Sequence, residues 1–129
     1  QHLIYEHPQH SQNDRVAEWR KIFDEFSDSL TDWSDLEENK NYLWQKQLHL
    51  YEVPFYYIEY GMAQLGAIAV WKNYKKDPDA GLKGYVDALK LGYTRNIPEV
   101  YKAANIEFNF SKDYIKELIS FVRKELGNL

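Results

Sequence analysis

Apolar residues recur at three- and four-residue spacing along most of this chain, the period of amphipathic helices. No Asn-Gly hairpin dipeptide interrupts the pattern. The fold class it predicts is all-α, a multi-helix bundle. Ser11, with Asp14 three residues on, caps a first helix that carries Val16, Trp19, Ile22, Phe23 and Phe26 and ends near Asp28. Leu30 to Asp35 reads as a loop, and Asn39 to Leu48 as a short second helix holding Tyr42, Leu43 and Gln47. Pro54 suits a first helical position, so a third helix is expected from Pro54 to about Tyr74. Asp77 and Pro78 start a fourth that carries Leu82, Tyr85, Val86 and Leu89 and stops around Leu91-Gly92. Pro98 to Ala104 makes a short fifth, and Ser111 starts a sixth striped by Ile115, Leu118, Ile119, Val122 and Leu126. No repeat, low-complexity tract or linker divides residues 1–129, which read as one helical domain.

Gly61, Ala63, Gly66, Ala67 and Ala69 give the third helix a row of small residues. Glycine inside a helix costs about 1 kcal/mol relative to alanine, so close packing or a ligand must offset the loss.

The chemistry concentrates in the run from His49 to Gly66. One imidazole and three phenols, His49, Tyr56, Tyr57 and Tyr60, gather just before and inside the expected third helix, His49 on the turn leading in. On a helix, Tyr57 and Tyr60 lie three apart and Tyr56 and Tyr60 four apart, so each pair can share a face. Such a set supplies hydrogen-bond donors to a ligand.

Three runs then carry a family resemblance. Gln1-His2-Leu3-Ile4-Tyr5-Glu6-His7-Pro8 resembles a Q-H-W-x-Y-x-H-P run, and Pro54-Phe55-Tyr56-Tyr57-Ile58-Glu59-Tyr60 with Ala63-Gln64-Leu65-Gly66 resembles a P-F-Y-Y-I-x-Y-x-x-A-Q-L-G run. Leu89-Lys90-Leu91-Gly92-Tyr93 and Ile97-Pro98-Glu99-Val100-Tyr101 complete the match. All three are similar to the C-terminal part of the oligoendopeptidase F family, thimet-oligopeptidase-like zinc metallopeptidases. The resemblance covers nearly the whole chain.

It implies a zinc metalloendopeptidase that hydrolyses short peptides. In that family an HExxH motif and a later Glu hold zinc, with the motif Glu as general base. No HExxH occurs here. The chain opens at Gln1 and its one Met is Met62, so it reads as a C-terminal fragment whose zinc-binding part lies upstream. On this reading the cofactor zinc belongs to the parent enzyme, no zinc ligand lies in residues 1–129, and the chain alone is inactive. The partners implied are short peptide substrates and the remainder of the parent peptidase, with self-association of a fragment through its exposed cut face.

By resemblance, His49, Tyr57 and Tyr60 are the catalytic candidates, binding the scissile carbonyl and substrate backbone as negative charge builds on the carbonyl oxygen. A lost donor of this kind typically costs roughly 3 kcal/mol of barrier. Tyr56 is a substrate-binding candidate. Gly81 and Gly84 join it as flexible packing near the cleft, where the related peptidases carry a Gly-rich loop that touches substrate. Gly81-Leu82-Lys83-Gly84 follows no strand, which argues against a phosphate loop.

His2, His7 and His10 fall close together, but their spacing is no recognised zinc ligand set. A net charge of -4 offers no basic patch for nucleic acid. The longest apolar run, Met62 to Trp71, is short of the ~20 residues that span a membrane, and no leader opens the chain. The absence of Cys excludes a disulfide framework and fits a reducing, cytoplasmic compartment. Two other classes stay open. One is a stand-alone helical module whose Tyr run grips a peptide or partner helix. The other is a structural helical subdomain with Tyr56, Tyr57 and Tyr60 sealed in its core.

Overall fold

The computed structural model describes residues 1–128. All regular structure among them is helical. It divides into two compact units, Gln1–Tyr57 and the residues from Ile58 onward.

The first unit opens with α1 (His2–Glu6), which the spacing of apolar residues does not announce because a five-residue helix has room for one turn. A longer helix follows, α2 (Gln12–Phe26). The Ser11 hydroxyl accepts from Asp14 N at 3.2 Å while Asp14 Oδ2 accepts from Ser11 N at 2.8 Å, the reciprocal bonds of a capping box. In place of the expected second helix, Asn39 to Leu48, stand the end of α3 (Glu37–Lys40) and a 3₁₀ turn (Leu43–Lys46), and α4 (His49–Glu52) follows.

An aromatic group with a lysine at its centre ties α2 to this irregular stretch. The Trp19 indole N–H donates to Lys40 O at 2.9 Å, and Lys40 Nζ reaches Asp24 Oδ1 at 2.6 Å. The same ammonium lies 5.3 Å from the Phe23 ring centre and 5.8 Å from that of Trp33, within cation–π range. Ion pair and ring faces together allow Lys40 to be buried.

The third helix does not begin at Pro54. Tyr56 N donates to Val53 O at 3.2 Å, closing a turn, and Phe55 takes φ 63°. Proline at the second position and a positive φ at the third is the type II pattern, in which glycine or asparagine usually takes the third place. A left-handed non-glycine residue costs about 1–2 kcal/mol. Phe55 is held there by its N–H, which donates to Gln1 Oε1 at 3.0 Å, and by its ring, 5.0 Å from that of Tyr5.

The second unit holds α5 (Ile58–Lys76), α6 (Pro78–Leu91), α7 (Ile97–Ala103) and α8 (Lys112–Leu126). α5 packs on α6 and α8, and α6 on α7. The boundaries follow the caps. Asp77 accepts from Ala80 N with Pro78 at the first helical position, Asn96 and Glu99 form a second capping box, and Ser111 caps α8. Gly92, at φ 51°, turns the chain out of α6.

Small residues let these helices close on one another. Ala69, Ala88 and Ala104 are buried together with Leu118. A Cβ on Gly81 would lie 2.6 Å from Tyr74 Cα, so the α6 backbone passes α5 where no side chain fits. Gly66 makes room for Tyr101, whose hydroxyl donates to Met62 O at 2.9 Å; burial pushes the Tyr101 phenol pKa up. Lys75 pairs with Glu125 at 2.7 Å, and Trp71 meets Phe121 edge-on at 4.8 Å, fixing α8 to α5.

Candidate functional site

His49, Tyr56, Tyr57 and Gln47 come together in the first unit. His49 is the first residue of α4 rather than a turn residue, and the tight 53–56 turn folds the chain back onto it. The imidazole stacks on the Tyr56 ring with centres 5.3 Å apart and planes 14° apart. Tyr57 meets it tilted, at 5.0 Å and 54°. The Tyr57 hydroxyl donates to Gln47 Oε1 at 2.5 Å. Gln47, at the end of the 3₁₀ turn, was expected only as a helix position; standing two residues before His49 was the sequence signal that could have found it.

Tyr56 and Tyr57 therefore lie in a turn and not within a helix, which corrects the expectation that they share a helical face with Tyr60. Tyr60 sits in the first turn of α5, in the second unit. Tyr56, Tyr57 and Tyr60 are 38%, 37% and 54% exposed, so the reading that seals them in a core fails.

The second unit carries a groove of about 740 Å³ between α5, α6 and α7. Met62, Ala67, Val70, Leu82, Leu89 and Val100 make it apolar, and Glu59 stands among the lining residues as a charge. Gly81 is in its wall. Gly81 and Gly84 are both buried inside α6, so the expectation of flexible packing there is corrected: Gly81 lies against the Tyr74 backbone, and a Cβ on Gly84 would lie 2.6 Å from Asn105 Nδ2. Close helix packing accounts for both glycines.

Zinc finds no ligand set among the described residues, where no group of three or more His, Asp or Glu side chains converges. His10 is committed on both ring nitrogens. Arg15 can only donate, so at 3.2 Å it gives its hydrogen to Nε2, and Nδ1 then carries the proton that goes to His7 O at 2.7 Å. His2 pairs with Glu6 at 3.1 Å. The residues present do not fit a catalytic zinc site. No helix among the described residues is long and apolar enough to cross a membrane.

In the first unit one imidazole and two phenols share a stacked platform, a set of groups able to donate and to accept hydrogen bonds. The family model described as peptidase family M3 matches residues 1–119 of the chain. No curated protein and no solved structure matches it.

Proposed function

The chain belongs to peptidase family M3, and from that premise we propose that it is the C-terminal part of an oligoendopeptidase F-type zinc metalloendopeptidase acting on short peptides in the cytoplasm. The observation that carries the reading is the family match, set beside Tyr56, Tyr57 and Tyr60, none of which is buried. The zinc on which the family depends belongs to the rest of the enzyme, since HExxH is missing from these residues. Residues 1–129 act as one C-terminal module of that enzyme and, alone, hydrolyse nothing.

His49, Tyr57 and Tyr60 contact the scissile carbonyl and the substrate backbone. As the carbonyl carbon is attacked, its oxygen gains negative charge, and neutral N–H and O–H donors fixed in advance stabilise that charge without having to reorganise. Tyr56 supports the His49 ring by stacking and lines the peptide path. The apolar groove that Gly81 borders takes side chains of the substrate or of the enzyme's remainder.

Surface area supports a larger whole. The chain exposes 10225 Å². Two independent globules of the sizes of its two units would together expose about 8,600 Å². Any contact between units only lowers the observed figure, so at least roughly 1,600 Å² of extra surface remains to be covered. That is the area of an ordinary protein interface, about 1,600 Å² in total. The same surplus allows the isolated chain to self-associate.

The test is His49→Ala in the intact peptidase, with an internally quenched peptide as substrate. The expected result is a fall in kcat/KM of about 100-fold, the usual effect of one lost carbonyl donor. Wild-type kcat/KM would remove the His–Tyr group from the reaction.

A further inference from the structure

We infer that α1 is a brace for the His–Tyr group: Gln1 and Tyr5 hold Phe55 in its left-handed conformation, and that one residue sets how Tyr56 and Tyr57 lie against His49. The inference rests on the peptidase reading above and adds two positioning residues to it, which act through Phe55 and not on substrate. Gln1 and Tyr5 stand four apart, with Tyr5 N donating to Gln1 O at 3.2 Å, so one helical turn puts both side chains on one face. Both reach the same residue, 54 positions beyond Gln1. Gln1 Oε1 accepts from Phe55 N at 3.0 Å, and the Tyr5 ring lies 5.0 Å from the Phe55 ring. Backbone and side chain of Phe55 are thus gripped separately. So short a helix has little stability of its own, and α1 packs on α2, which anchors the grip.

What α1 holds is the joint between two parts of the site. α4 carries His49 and ends at Glu52, whereas Tyr56 and Tyr57 come at the close of the 53–56 turn, and the Tyr56 N–H is the donor that closes it. With Phe55 at φ 63°, the Tyr56 ring stacks on the imidazole at 5.3 Å and the Tyr57 ring meets it at 5.0 Å. A phenylalanine without these restraints leaves the left-handed region, where its Cβ crowds the backbone. The turn then opens or changes type, and both rings part from His49. The two contacts from α1 oppose that release.

Steady-state kinetics of the intact peptidase, with amide hydrogen exchange of residues 53–57, test the brace. Gln1→Met keeps the length of the side chain and removes the acceptor. It should lower kcat about fivefold, the population shift that one hydrogen bond produces, with KM within about twofold of wild type. Exchange of the Phe55 and Tyr56 amides should speed up by a similar factor. Glycine enters positive φ freely, so in a Phe55→Gly background Gln1→Met should cost kcat nothing further. Phe55→Gly and Phe55→Ala both lose the ring contact with Tyr5, and only Phe55→Ala keeps the strain, so it should turn over roughly fivefold more slowly than Phe55→Gly. Three results overturn the inference: wild-type kcat and exchange in Gln1→Met, a Gln1→Met penalty undiminished in the Phe55→Gly background, or equal turnover in the two Phe55 variants. Failure of the peptidase reading is distinguishable, because the exchange contrast would persist while His49→Ala kept wild-type turnover.

Discussion

Alanine at Gly81 sets a steric cost against a gain in helix propensity, and the distances decide between them. A Cβ there would lie 2.6 Å from Tyr74 Cα, 2.7 Å from Tyr74 N and 3.1 Å from Asn73 C. All three are backbone atoms of α5, which cannot rotate aside. Relief requires α6 to move off α5 by something near 1 Å, and overpacking of this kind costs about 1–3 kcal/mol. Replacing a mid-helix glycine returns about 1 kcal/mol. The net expectation is therefore a loss of roughly 1–2 kcal/mol. Gly66 is the control. There the nearest atoms are Tyr101 Oη at 2.8 Å and Cζ at 3.1 Å, the far end of a side chain that can swing away. Gly66→Ala gives up the Tyr101 bond to Met62 O, about 1 kcal/mol, and regains about the same in propensity. Urea unfolding followed by circular dichroism measures both variants. Gly81→Ala should lower the midpoint by roughly 1 M, taking a slope near 1.5 kcal/mol per M, and Gly66→Ala should leave it nearly unmoved. Equal midpoints for the two variants, or a Gly81→Ala protein as stable as wild type, would refute the packing argument.

Residues 1–129 expressed alone should show no chelator-sensitive cleavage of a fluorogenic peptide, and measurable turnover would overturn the assignment of zinc to another part of the enzyme. Lys40→Met should destabilise the first unit by about 1–2 kcal/mol, since it removes the pair with Asp24 and the cation from the Phe23 and Trp33 faces, while Lys40→Arg should lose less; chemical unfolding by tryptophan fluorescence reads both. The Asp14 carboxylate is held below its ordinary pKa of 3.8 by the backbone and side-chain hydrogen bonds from Ser11. Its folded pKa being depressed, its contribution is complete above 3.8 and disappears as pH falls through the lower folded value. Acid titration of helix content should therefore differ between wild type and Asp14→Asn above that window and converge below it.

The helix boundaries visible in the sequence were those with local causes. Ser11 with Asp14, Asp77 with Pro78, and Ser111 each satisfy a helix N-terminus from within a few residues, and each stands where expected. Pro54 misled because its neighbour Phe55 is held left-handed by Gln1 and Tyr5, contacts more than forty residues away in sequence. The start of α5 moved to Ile58 for that reason. The second helix broke because Trp19 and Asp24 of α2 fix Lys40, which tertiary contact and not propensity dictates. In the site, residue types were legible and geometry was not. A run of His and Tyr announces donors, but that Gln47 would take the Tyr57 hydrogen depends on a chain reversal no local pattern encodes.

Tyr60, the phenol at the start of α5, is the most direct test of a transition-state donor. Steady-state kinetics of Tyr60→Phe in the intact peptidase should show kcat lowered about 100-fold with KM within about twofold, the mark of a bond made mainly in the transition state. A Tyr60→Phe enzyme that turns over at the wild-type rate would contradict it.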